Sequence, residues 1–163
     1  MTTNDFKMNP SILKIDSKKL LSLIDDEPVE LNDDVAKEVM NILNKTILDD
    51  SEDNINISYE DIYIIIESSK DSYITSFKIY FKTNLEIDFV DLAKQILQVV
   101  NTDNGLKGII LNIRSNLNFD LSNISDCIEH LIERTDESNH IIWSSTIDNK
   151  IKDYIEVTTI VSI

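Results

Sequence analysis

Apolar positions recur at helical spacing in some stretches of this 163-residue chain and run nearly continuously in others. Residues 1–10 are polar and expected to be disordered. Ser11-Ile12-Leu13-Lys14-Ile15 then reads as a short strand, and Asp16 or Ser17 is placed to cap a brief helix ending near Ile24. From Asn32, the positions Val35, Val39, Met40, Ile42, Leu43 and Ile47 predict a longer amphipathic helix over 32–48. Asp33 and Asp34 fall in its first turn, where the helix dipole favours negative charge. Ser58-Tyr59-Glu60-Asp61 has the form of a capping box ahead of Ile62-Tyr63-Ile64-Ile65-Ile66. Those β-branched residues favour a strand by propensity, but the cap favours a helix, and a helix is the expectation.

Downstream, Tyr73, Ile74, Phe77, Ile79, Tyr80 and Phe81 predict a strand near 73–82. Helical spacing returns over 87–100 and again over 120–134. Gly105-Leu106-Lys107-Gly108 turns the chain into a strand near 107–114, apolar enough to be buried on both faces. Strands at 140–147 and 154–163, joined by the polar turn 148–153, close the sequence. The alternation of helix and strand implies an α/β (α+β) fold, a sheet with helices packed on it. It divides into an amino-terminal segment, 11–54, and a carboxy-terminal domain, 55–163.

Composition narrows the chemistry. Thirty acidic residues against fifteen Lys and Arg give a net charge of −15, which repels nucleic-acid phosphates and argues against such partners. There are only two glycines, Gly105 and Gly108, so no phosphate-cradling GxGxxG or GxxxxGK loop exists in these residues. One cysteine excludes an internal disulfide and any multi-cysteine metal site. No apolar run is long enough to cross a membrane, and the polar start is unlike a secretory signal. A cytoplasmic location is expected.

Residue constellations add little. Cys127 and His130 share a predicted helix with His140 ten residues on, but the spacing is looser than zinc sites use; a buried cysteine and two surface histidines are expected. The acids Asp49, Asp50, Glu52 and Asp53 lack the glycine that a calcium loop needs at its sixth position. Ser144-Ser145 lies inside a strand with no glycine-flanked elbow. No cofactor is expected.

Three segments resemble the carboxy-terminal domain of FtsZ, the bacterial and archaeal tubulin homologue. Gly105-Leu106-Lys107-Gly108-Ile109-Ile110-Leu111-Asn112-Ile113 is similar to the family's G-A-x-G-V-L-x-N-I. Ile141-Ile142-Trp143-Ser144-Ser145-Thr146-Ile147-Asp148 resembles its next apolar strand. Asp153-Tyr154-Ile155-Glu156-Val157-Thr158-Thr159-Ile160-Val161 resembles its closing D-E-I-x-V-T-V-I-A. Further upstream, Asn56-Ile57-Ser58-Tyr59-Glu60-Asp61-Ile62 is similar to the synergy loop N-x-D-F-A-D-V, with helix 32–48 in the place of the long central helix. The likeness covers roughly 12–163 and implies a mixed four-stranded sheet.

What the resemblance implies about function is specific. In the family, GTP is hydrolysed when the synergy loop of one subunit meets the nucleotide of the next. Here Asn56 and Asp61 fall on matching positions, but Ser58 replaces an aspartate, and a hydroxyl cannot replace a carboxylate as a base near neutral pH. The glycine-rich GTP-binding half has no counterpart in these residues. The expectation is a non-enzymatic FtsZ-like protein of cell division, unable to bind GTP alone. It would act by protein–protein contact through Asn56, Ser58, Glu60 and Asp61, on an FtsZ-type partner or by self-association, and could cap a filament. The alternatives are a small-molecule-binding or enzymatic reuse of the fold, and a structural homo-oligomer. Helix capping alone also accounts for Asn, Ser and Asp at these positions.

Overall fold

Three helices open on capping side chains at the places the sequence assigns. The computed structural model describes residues 12–49, 51, 54–80, 88–99, 105–135 and 140–163. The Asp16 carboxylate accepts from the backbone N–H groups of Lys18 (2.9 Å) and Lys19 (3.1 Å) to start α1, Ser17–Ile24. Asn32 Oδ1 accepts from Asp34 N–H (2.9 Å) to start α2, Asp33–Lys45. Ser58 Oγ accepts from Asp61 N–H (3.2 Å) to start α3, Tyr59–Glu67. A cap of this kind is worth about 1 kcal/mol. With Ile62, Ile65 and Ile66 buried along one side of α3, it outweighs the strand propensity of that segment.

The strands are β1, Ile12–Asp16; β2, Asp71–Tyr80; β3, Gly108–Ser115; β4, His140–Ile147; and β5, Tyr154–Ser162. Two further helices are α4, Phe89–Val99, and α5, Ile124–Arg134. The sheet has five strands in the order β1-β2-β5-β3-β4, not the four expected. The extra one is β1, which pairs antiparallel with β2 from Ile12↔Thr75 to Asp16↔Asp71. Its sequence predicts a strand but not a partner, because of its five residues only Ile15 is buried and sets little register. β3 and β4 are parallel, while β5 runs antiparallel to both β2 and β3.

Helix α5 begins at Ile124 rather than near 120. The Asp120 carboxylate accepts from Ser122 N–H (2.8 Å), a local turn that competes with the helix, and that bonding holds the carboxyl below its ordinary pKa. The expected disorder of 1–10, the strand end at 81–82 and the acids Asp50, Glu52 and Asp53 lie outside the described residues.

Two apolar cores flank the sheet. α4 and α5 cover one face, burying Phe77, Leu92, Ile96, Leu111, Ile113, Cys127, Leu131 and Val157. α1, α2 and α3 cover the other, burying Leu20, Val39, Leu43, Ile65, Ile66, Ile74, Ile110 and Ile160. Gly108 starts β3 tight against Ile65 of α3 and the backbone of β4. A Cβ there would lie 2.8 Å from the His140 carbonyl oxygen and 2.8 Å from Ile65 Cγ2. Only glycine fits this approach without a shift. Among the described residues no helix is long and apolar enough to cross a membrane.

On the α1–α3 face the strand register places side chains in rows. Ile74, Ile160 and Ile110 lie side by side, followed by Ser76, Thr158, Asn112 and Ser144, then by Lys78, Glu156, Arg114 and Thr146. From the isoleucine row onward the face therefore passes from hydrocarbon through hydroxyls to charge, while a buried Ser17–Ser72–Ser162 network lies on the other side of that row. Asn112 Nδ2 donates to Ser144 Oγ (2.8 Å) and Thr146 Oγ1 (3.0 Å), and the Thr146 hydroxyl donates to the Thr46 carbonyl (3.2 Å) just past α2. Arg114 bridges Glu156 (3.3 Å) and Asp148. This polar end of the sheet is where the segment before α3 is fastened.

Candidate functional site

The segment 54–61 crosses the end of β4, an edge strand with unpaired backbone groups to offer. Ile55 forms an antiparallel bridge with Ser145: its N–H donates to the Ser145 carbonyl (3.1 Å), and Ser145 N–H donates to the Ile55 carbonyl (3.0 Å). Asn54 adds a clamp, accepting from Ile147 N–H (2.8 Å) at Oδ1 and donating from Nδ2 to the Asp49 carbonyl (3.2 Å). Ile57 then packs against the core under α1–α3, and Ser58 begins α3. The loop is thus held at one end by the Ile55 bridge and the Asn54 clamp and at the other by the packing of Ile57 and α3.

Between those anchors Asn56, Ser58, Glu60 and Asp61 are all exposed. The structure brings the four together on one short stretch of surface at the amino-terminal end of α3. Ser58 uses its hydroxyl as the helix cap, and Glu60 and Asp61 lie in the first turn, against the positive end of the helix dipole. The capping chemistry is therefore present at this site, and it leaves Glu60 and Asp61 facing solvent.

Sequence reasoning missed two neighbours. Ile55 is 49 % exposed and Tyr59 is 46 % exposed, so two large exposed side chains share this stretch with the polar four. The Tyr59 hydroxyl donates to the Asp25 carboxylate at the end of α1, and its ring lies 6.1 Å from that of Tyr63. That hydrogen bond, with smaller contributions from desolvation and the Asp25 charge, pushes the Tyr59 phenol up to about 12. No local pattern signals either contact, since Ile55 and Ser145 are 90 residues apart and Tyr59 and Asp25 are 34 apart.

The other sequence candidates fall elsewhere. Cys127 is buried against α4 in the first core, and burial alone pushes its thiol up to about 12. His130 is half-buried on the same helix, whereas His140 is exposed at the start of β4. Among the described residues no group of three His, Cys, Asp or Glu is placed to hold a metal ion. Ser144 and Ser145 are buried; Ser144 accepts from Asn112, and Ser145 is the bridge partner of Ile55.

Comparison with known proteins bears on the sheet more than on this loop. Residues 90–162 match the family described as the FtsZ family, C-terminal domain. A tryptophan-to-tyrosine mutant of FtsZ from M. jannaschii superposes with a TM-score of 0.57 at 18 % identity, covering 90 % of this chain and 45 % of that one. An empty FtsZ dimer from M. jannaschii gives 0.51 at 17 % identity, covering 90 % and 43 %. No curated protein sequence matches the chain. The chain spans a little under half the length of the FtsZ structures it resembles. The loop 54–61 lies outside the matched stretch. By sequence over 90–162 and by fold over most of its length, the protein is FtsZ-like, its sequence likeness being to that family's C-terminal domain.

Proposed function

We propose that this chain is a non-catalytic FtsZ-like protein of cell division that acts by protein–protein contact through the segment 54–61. The observation that carries the reading is the loop's construction. It is fixed to the edge of the FtsZ-like sheet by the Ile55–Ser145 bridge and the Asn54 clamp, yet displays Asn56, Ser58, Glu60 and Asp61 to solvent alongside exposed Ile55 and Tyr59. An anchored loop is preorganised for docking and loses little entropy on binding. If it docks as a synergy loop does, its target is the nucleotide face of an FtsZ-type subunit, and it caps the filament end there. Ser58 supplies no carboxylate at the position where the family carries one, so such docking would not efficiently promote GTP hydrolysis.

A pelleting assay tests this. FtsZ from the same cell, polymerised with GTP, is expected to lose polymer mass or length on stoichiometric addition of this protein. The effect should weaken when Ile55 and Tyr59 are both replaced by alanine, and, against a partner that is itself acidic, grow with salt as repulsion from the −15 chain is screened. Ser58→Asp should raise the partner's GTPase rate. Unchanged polymer mass and length at equimolar protein would sink the capping reading.

A further inference from the structure

The two crossover helices of the sheet, α4 and α5, pack side by side over one face, and a cavity of about 340 Å³ opens between them. It is lined by Lys94, Leu97 and Gln98 from α4 and by His130 and Arg134 from α5. Lys94 and Gln98, like His130 and Arg134, are four residues apart, so each helix contributes two polar arms separated by about one turn. Leu97 supplies the apolar contact between them.

The sign of this lining runs against the rest of the molecule. The chain carries twice as many acids as Lys and Arg, yet among the described residues no carboxylate lines the cleft. On α5 the acids Asp126, Glu129 and Glu133 fall on other positions of the helix, and none of them is part of the lining. Nor does any ion pair among the described residues engage Lys94 or Arg134. Helix-dipole compensation explains Arg134, which sits in the last turn of α5. It does not explain Lys94 or His130, which lie mid-helix and face the same opening.

We propose that the α4–α5 cleft binds a phosphate-bearing group. An ammonium, a guanidinium fork, an imidazole and a carboxamide from two helices form a set of hydrogen-bond donors around one small space. A phosphate dianion offers three strong acceptor oxygens to such a set, whereas a single carboxylate offers two in one plane. The volume lies at the small end of ligand sites, suited to a phosphate and its immediate attachment. The group is either a small phosphate ester or a phosphorylated side chain of a partner.

Amide chemical shifts of the full chain, titrated with inorganic phosphate at 150 mM salt, test the assignment. Saturable shifts are expected around Lys94, Gln98, His130 and Arg134. The double replacement of Lys94 and Arg134 by alanine should weaken binding at least about tenfold. Both side chains are exposed, so the variant is expected to fold, which the spectrum itself reports. A second arm compares a phosphoserine peptide with its unphosphorylated form. Tighter binding of the phosphopeptide than of inorganic phosphate identifies a protein source, and equal or weaker binding identifies a small ester. Shifts that do not saturate, that map elsewhere or that persist undiminished in the double variant would overturn the proposal.

Discussion

The two faces of the sheet do different work with neighbouring residues of the same strands. Under α4 and α5 the β3 side chains Ile109, Leu111 and Ile113 are all apolar and fully buried. On the α1–α3 side the intervening Ile110, Asn112 and Arg114 pass from hydrocarbon to amide to cation within five residues. One face is a mainly apolar core, broken by the buried Thr75–Thr159 hydroxyl pair (2.6 Å), and its value is burial. The other is hydrocarbon in its middle rows, with a buried Ser17–Ser72–Ser162 hydroxyl network at one end. At its other end the Asn112 hydrogen bonds tie β3 to β4, the Arg114 bridge ties β3 to β5, and Thr146 ties β4 to the backbone after α2. The exposed loop is fastened to this second end, through β4. Function is proposed where packing gives way to directional bonding.

Adjacent substitutions on β3 separate the two contributions. Leu111→Ala removes a fully buried side chain from the α4–α5 core and should destabilise by about 2–5 kcal/mol, the usual span for such cavities. Asn112→Ala removes two hydrogen bonds to hydroxyls, but also an Oδ1 that is buried without a partner among the described residues. These effects oppose one another, so the expected cost is smaller, about 1 kcal/mol. Urea unfolding of both variants decides it. If Asn112→Ala costs as much as Leu111→Ala, the polar network is a structural core in its own right and the contrast between the faces collapses.

The elements of the fold are largely legible in the sequence, the contrast between its faces is not, and the illegible part has a common cause. Ser58, and Asp16 or Ser17, mark helix starts in the sequence because a cap is satisfied within three residues of itself, and the apolar spacing from Asn32 marks the third. The glycine-flanked strand from Gly108 and the strands at 140–147 and 154–162 could be read as FtsZ-like because each motif is contiguous in the chain. What stayed hidden joins distant segments. The β1 residues signal a strand but not its pairing with β2, which makes it the fifth strand of the sheet. Asn56, Ser58, Glu60 and Asp61 were visible as candidates, while Asn54 and Ser145, which hold them in place, were not. Polar side chains that bond across 90 residues carry no periodic signature.

The smallest expected effect concerns the link between the loop and α1. Tyr59 is anchored by its hydroxyl to Asp25, and that bond needs the phenol protonated. An ordinary tyrosine ionises near pH 10, whereas in the folded chain Tyr59 does so at about 12. A group whose folded pKa is raised contributes its stability in full below the unfolded value and loses it as pH climbs through the folded one. The Tyr59–Asp25 contribution should therefore be constant up to about pH 10 and disappear toward about pH 12. Tyr59→Phe removes it at every pH. The difference in melting temperature between wild type and Tyr59→Phe should be small, because the pair is solvent-exposed. It should narrow to nothing across that alkaline window, once other alkaline losses common to both proteins cancel. A difference independent of pH would mean that Tyr59 acts on the loop through its ring, against Tyr63, and not through its hydroxyl.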